Sequence, residues 1–283
     1  MDLRHTGPEL DGWILAQVGA GQSPEAVVAT LVTRGWAEQA AIDAIDTAVR
    51  DHLARHARDA GLPAPARVPA PVAWNGASQI DAGDRRVQVL AHLVHPHVVV
   101  FGGLLSDGEC DALIELARGR VQRSPTLDPE TGRDQVHPDR TSRGLFLQRG
   151  ENGLLRTIEA RIAALTEWPL EHGEGIQLLN YGVGAEYKPH YDYFDPDRAG
   201  NRATLARGGQ RVATLVMYLN TPARGGATTF PDVQFEVAAI RGNAVFFSYD
   251  RPHPMTRSLH GGAPVLAGEK WVATKWLRES RHV

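Results

Sequence analysis

The sequence predicts a mainly β fold with flanking helices, a sandwich or jelly-roll, preceded by a small all-α segment. Three observations carry this expectation. Apolar residues up to about position 62, and again in two stretches before Gly175, recur at helical spacing. After Gly175 the pattern changes to short apolar runs separated by Gly and Pro, the mark of many short strands. Helices that come first and strands that follow exclude an alternating parallel α/β arrangement.

In chain order, Ser23-Pro24-Glu25 reads as a helix start, with Ser as N-cap and Pro at the first helical position. Val27, Val28, Leu31 and Val32 follow at helical spacing, and Gly35 is a natural stop. A second helix over 37–60 places Ile42, Ile45, Val49 and Leu53 on one face, and Trp13 and Trp36 are large enough to help fill a small core. Residues 1–62 carry 5 basic and 9 acidic side chains and form the predicted helical domain. The run LPAPARVPAP over 62–71 is Pro/Ala-rich with little to bury, so 63–86 is expected as an extended linker and 87–283 as the main domain. Within it, Ser106 with Glu109 three residues on is a capping box before the apolar face Cys110, Leu113, Ile114 and Ala117. Leu154, Leu155, Ile158, Ile162 and Leu165 mark another amphipathic helix. Strands are expected over 176–181, 186–193, 211–219, 227–230, 235–240, 244–249 and 271–277.

Composition limits the function classes. The chain has 283 residues, 42% hydrophobic and 22% charged, with a formal net charge of −3. No basic field points to nucleic acid. The longest apolar run, about 98–105, falls far short of the roughly 20 residues that span a bilayer, so no membrane role is expected. A single cysteine, Cys110, excludes an internal disulfide and a cysteine-based zinc site. The opening MDLRHTGPELDGW lacks the apolar core of a signal peptide, which makes a cytoplasmic location the expectation. Of 30 basic residues only Lys188, Lys270 and Lys275 are lysines.

The chemistry centres on Tyr187-Lys188-Pro189-His190-Tyr191-Asp192. On a strand, residues two apart share a face, so His190 and Asp192 can converge on one point. His260 lies 68 residues after Asp192. Two histidines and a carboxylate on one face suit a non-haem Fe(II) centre. His137-Pro138-Asp139 repeats the spacing in a loop context, and the pairs His52/His56 and His95/His97 read as surface or structural. Lys270, Val272, Thr274 and Trp276 share one face of a strand, whereas Lys275 points the other way, outward. An inward lysine is expensive unless it meets an anion.

These residues, with their flanks, resemble the catalytic domain of prolyl 4-hydroxylases in the 2-oxoglutarate/Fe(II) dioxygenase superfamily. The resemblance runs in order through FGGLLSDGECDALIELAR, DRTSRG, YGVGAEYKPHYDYF, GGQRVATLVMYLN, GGATTFP, GNAVFFSYD and LHGGAPVLAGEKWVATKWLRE, roughly two-thirds of the chain. It implies a double-stranded β-helix, a form of jelly-roll, with helices packed on one side. It also implies iron ligation by His190, Asp192 and His260. Lys270 then holds the distal carboxylate of 2-oxoglutarate, and Tyr181, Tyr218 and Thr274 line the co-substrate pocket. Tyr187, Arg211 and Trp276 resemble residues flanking a peptide groove, with Arg140 in a loop beside it. The implied reaction is hydroxylation of prolyl residues at C4 in a peptide or protein, using Fe(II), 2-oxoglutarate and O2, with ascorbate as a supporting reductant and succinate and CO2 as products.

Two alternatives stay open: a related hydroxylase with a non-prolyl substrate, and a non-catalytic peptide-binding module on the same fold. A zinc hydrolase on the same three residues lacks an obvious general base and leaves Lys270 unexplained. For the helical front segment, a structural appendage and an element that binds a partner or a second copy are equal expectations.

Overall fold

The computed structural model describes residues 7–71, 77–123, 126–127, 134–135 and 141–283, and the side chains of 126–127 and 134–135 are left aside. The chain divides into two compact units, Met1–Pro65 and Ala66–Val283.

The first unit holds α1 (Pro8–Gly19), α2 (Pro24–Thr33) and α3 (Glu38–Asp59). Ser23 caps α2 through its side chain, which accepts from the Ala26 N–H. Leu10, Ile14, Val27 and Leu31 pack against Ala41, Ile45 and Ala48 of α3. Trp13 and Trp36 close this core as partly buried side chains. The face that α3 buries is thus offset from the expected one. Ile42 and Leu53 are exposed, because small alanines at 41 and 48 let the neighbouring helices approach closely.

The second unit contains β1 (Gln79–Asp81), β2 (Arg86–Leu93), β3 (His97–Gly102), α4 (Asp107–Ala117), β4 (Gln122–Arg123), β5 (Thr126–Leu127), β6 (Asp134–Gln135) and β7 (Arg143–Leu147). It continues through α5 (Gly153–Thr166), β8 (Gly173–Tyr181), β9 (Tyr187–His190), α6 (Arg202–Ala206), β10 (Arg211–Tyr218), β11 (Arg224–Gly225) and β12 (Thr228–Phe230). Last come β13 (Phe235–Val237), β14 (Ala244–Ser248), β15 (His260–Gly262), β16 (Val265–Ala267) and β17 (Lys270–Arg278). A nine-stranded antiparallel sheet runs β1-β2-β3-β14-β10-β17-β8-β7-β4, and a four-stranded sheet runs β13-β12-β15-β9. The capping box at Ser106 and Glu109 forms as expected and starts α4.

Alternation along each central strand sorts side chains into two cores. Val99, Phe101, Leu178, Leu215, Phe246 and Ala273 meet α4 and α5. Val98, Val100, Leu179, Val245, Phe247 and Val272 face the smaller sheet and meet Phe230 and Val237. Two sheets packed face to face with helices on the outer side of one give the jelly-roll layering, and all central strands are buried on both faces.

That double covering corrects one expectation. Lys275 does point away from Lys270, but into the helix layer and not to solvent. It is 2% exposed, and its ammonium donates to Glu159 Oε1 of α5 at 2.6 Å. The described residues of 63–86 also do more than link two domains. The Ala66 N–H donates to the Asp250 carbonyl, Ala66 and Val68 cover part of the helix-side core, and Gln79–Asp81 pairs with β2 as an edge strand. Small apolar side chains in that run have core surface to cover, which composition alone did not reveal. Among the described residues no helix is long and apolar enough to cross a membrane.

Candidate active site

The smaller sheet brings the two histidines together. His190 ends β9 and His260 begins β15, and the two are direct cross-strand partners, so their side chains leave on the same face. The strands approach closely because Gly261 follows His260. A Cβ there would stand 2.9 Å from the Tyr187 carbonyl oxygen. Asp192 lies beyond the end of β9, not on the strand as its spacing suggested, and the chain bends to return its carboxylate to the histidines. Asp192 Oδ1 stands 3.6 Å from His190 Nε2 and Oδ2 stands 3.4 Å from His260 Nε2. One ligand atom from each of the three lies within 4.8 Å of the others.

Backbone carbonyls settle which nitrogen of each ring is available. His190 Nδ1 donates to the Lys188 carbonyl at 2.9 Å, and His260 Nδ1 donates to the Ser258 carbonyl at 3.0 Å. A carbonyl only accepts, so each Nδ1 carries a proton, and each Nε2, turned toward Asp192, is the atom left to take a metal. Burial, and then the neighbouring His260, lower the pKa of His190, which keeps it neutral. Burial opposes ionisation of Asp192, yet attraction from His260 and hydrogen bonds from both imidazoles, in their protonated form, hold its carboxyl well below the usual range. Two imidazole Nε2 atoms and a carboxylate are the donor set that suits Fe(II), so the residues present fit that metal. Tyr187 stacks on His190 at 3.6 Å between ring centroids, and Phe247 packs on His260 at 4.4 Å.

A pocket open to solvent is lined by the triad together with Tyr181, Tyr187, Lys270, Thr274 and Trp276. Lys270 pairs with Tyr181 across β17 and β8. It is 4% exposed, and among the described residues no carboxylate pairs with it. Burial alone pushes its ammonium down to about 8. A buried cation without a counter-ion is stabilised by an incoming anion, so the wall is built to receive a carboxylate. The rings of Tyr181 and Tyr218 lie 5.4 and 5.9 Å from its Nζ.

The structure places the remaining expected residues unequally. Tyr218 is fully buried behind the wall, where its hydroxyl donates to Thr228 Oγ1, and Thr228 is the side chain that reaches the pocket. Arg211 does not line the pocket. Its guanidinium makes two bonds to Glu174 and stacks 4.0 Å above the Trp276 ring. Arg278 also donates to Glu174, and against the cost of burial the two arginines hold this carboxyl at about 2. Arg140 and the His137-Pro138-Asp139 run lie outside the described residues. Beside them Thr141 bonds the backbone of Glu186 in both directions. His97 is structural, as expected, with Nδ1 2.7 Å from Ser248 Oγ.

Sequence reasoning missed Thr214. Its hydroxyl donates to Asp192 Oδ2 at 2.7 Å, and it too lines the pocket. The available signal was a lone threonine in the apolar run 212–217, on the same face as Tyr218.

Comparison with known proteins places the chain in a family. The sequence model of the 2OG-Fe(II) oxygenase superfamily matches residues 176–278. Two Arabidopsis thaliana proteins are similar to this chain. Prolyl 4-hydroxylase 5 is 38% identical over 216 residues, covering 69% of this chain and 72% of the relative. Prolyl 4-hydroxylase 2 is 39% identical over 207 residues, covering 64% and 67%. Among solved structures, a viral collagen prolyl hydroxylase from Paramecium Bursaria Chlorella virus-1, in its 2OG complex, aligns with a TM-score of 0.49 at 28% identity, covering 64% of this chain and 95% of that one.

Proposed function

Because the chain belongs to the prolyl 4-hydroxylase family of 2-oxoglutarate- and Fe(II)-dependent dioxygenases, we propose that this pocket hydroxylates prolyl residues at C4 in a peptide or protein. The co-substrates are 2-oxoglutarate and O2, and 2-oxoglutarate leaves as succinate and CO2. The observation that carries the reading is the meeting, in one pocket, of an imidazole and carboxylate triad with a buried lysine that has no counter-ion among the described residues.

His190, Asp192 and His260 would hold the iron, with the carbonyls of Lys188 and Ser258 fixing the histidine tautomers. When bound, Fe(II) supplies the oxidising chemistry that no side chain provides. Lys270 receives the distal carboxylate of 2-oxoglutarate, and Tyr181 and Thr274 shape the space beside it. Leu179, Val216 and Val272 exclude water from the inner wall, which strengthens the ion pair at Lys270. Toward the mouth, Tyr187 and Trp276 offer flat apolar surfaces to a prolyl ring. Arg211, spent on Glu174, backs Trp276 and orients it. Ascorbate acts as a supporting reductant.

Succinate release from 2-oxoglutarate with Fe(II), with and without a proline-rich peptide, tests the proposal. Peptide-stimulated release that His190→Ala abolishes is the expected result. Peptide binding without turnover would favour the binding module, and wild-type rates in His190→Ala would displace the site.

A further inference from the structure

The carboxylate of Asp192 is held by a hydrogen-bond chain that starts in the core. Thr214 Oγ1 lies 2.7 Å from Asp192 Oδ2 and 2.9 Å from the Tyr249 hydroxyl. Thr214 is fully buried and Tyr249 is 2% exposed, so neither hydroxyl exchanges its partner for water. A threonine hydroxyl has one proton. Asp192, ionised, only accepts, so that proton goes to Oδ2 and Tyr249 must donate to Thr214. Burial, then the charge of Asp192, push the Tyr249 phenol well above its ordinary range, which keeps it a donor. The direction of the chain is therefore set: Tyr249 to Thr214 to Asp192. Its strands are adjacent, since β10 carries Thr214 and Tyr249 follows β14 directly, with Thr214 paired to Phe247 across the two.

The geometry points to Thr214 and Tyr249 as a positioning relay that fixes the rotation of the Asp192 carboxylate and so sets the affinity of the triad for its divalent metal. This rests on the metal-site reading above. In each histidine the orienting partner is a backbone carbonyl, which substitution cannot remove. Asp192 is oriented by side chains, which makes it the adjustable ligand of the three. Without the relay the carboxylate can turn about its last bond, and the metal must supply the cost of ordering it.

Mn(II) titration of the full chain, followed by electron paramagnetic resonance of the free ion and without 2-oxoglutarate, tests the relay. His190→Ala serves as the reference for a broken site. Thr214→Val keeps the shape and removes the hydroxyl, and it should weaken Mn(II) binding on the order of 10-fold or more. Thr214→Ser should restore it, which a purely packing role for threonine would not do. Tyr249→Phe should weaken binding about 2- to 10-fold, the effect of one neutral hydrogen bond. In the Thr214→Val background it should add nothing, because it acts through the missing hydroxyl. Wild-type affinity in Thr214→Val, or effects of the two changes that multiply, would overturn the relay. Should Thr214→Val not fold, wild-type affinity in Tyr249→Phe overturns it equally. A wild-type chain that binds Mn(II) no better than His190→Ala would overturn the metal-site reading and the relay with it.

Discussion

At the scale of single residues, the site depends on groups whose environments push them in useful directions. Lys270 is the clearest case. Its ammonium is buried, no carboxylate among the described residues pairs with it, and burial lowers it to about 8. A charge-assisted bond to a carboxylate is worth roughly 1.5–3 kcal/mol, so Lys270→Met should raise the KM for 2-oxoglutarate on the order of 10- to 100-fold. The same shift has a pH consequence. Lysine binds the carboxylate only while protonated, so kcat/KM for 2-oxoglutarate should be full below about pH 8 and fall as pH rises through it. Lys270→Arg, always charged, should flatten that alkaline limb, and a wild-type profile without the limb would count against the carboxylate role. The face carrying Lys270, Val272, Thr274 and Trp276 was legible in the sequence, because strand alternation survives any detail of packing. Thr214 and the Glu174–Arg211–Arg278 cluster were not. Their partners lie 22, 37 and 104 residues away in sequence, and only the sheet register brings them together.

At the scale of elements, β17 shows why the two lysines on one strand differ. Lys270 faces the pocket, and five residues on, Lys275 faces the helix layer and finds Glu159. Both partners of this pair are almost fully buried. Burial lowers the Lys275 pKa, and the attraction of Glu159 works against that fall. Removing one partner of a buried pair leaves an uncompensated charge, so Lys275→Met should cost about 3–5 kcal/mol. Lys275→Met combined with Glu159→Leu should recover most of it, because a packed apolar pair replaces the ions. Urea unfolding of the three proteins checks this, and a neutral single change would show that the pair carries no such charge penalty. An outward Lys275 was the natural reading of alternation, but alternation names the face and not what covers it. Similarly, β9 stops at His190 and Asp192 follows in a bend, so the shared face anticipated from a His-x-Asp strand is produced by a turn.

At the scale of the whole molecule, order along the chain is the reason the fold class was readable. The helices legible in the sequence precede the strands legible in it, and Gly and Pro separate short apolar runs, which leaves few arrangements besides packed antiparallel sheets. The first strands were harder to see. The edge strand β1 and its neighbour β2 are half-exposed and lack the uninterrupted apolar run that marks β3. All described pocket residues belong to the unit Ala66–Val283, so the chemistry is a property of the sheet pair and its helix layer. That chemistry is tested most directly by mapping the product of a proline-rich peptide incubated with the chain, Fe(II), 2-oxoglutarate and O2. The account predicts one added oxygen on a proline, at C4, with one succinate formed for each hydroxyl. Oxygen on another residue type, or hydroxylation that proceeds without 2-oxoglutarate, would contradict it.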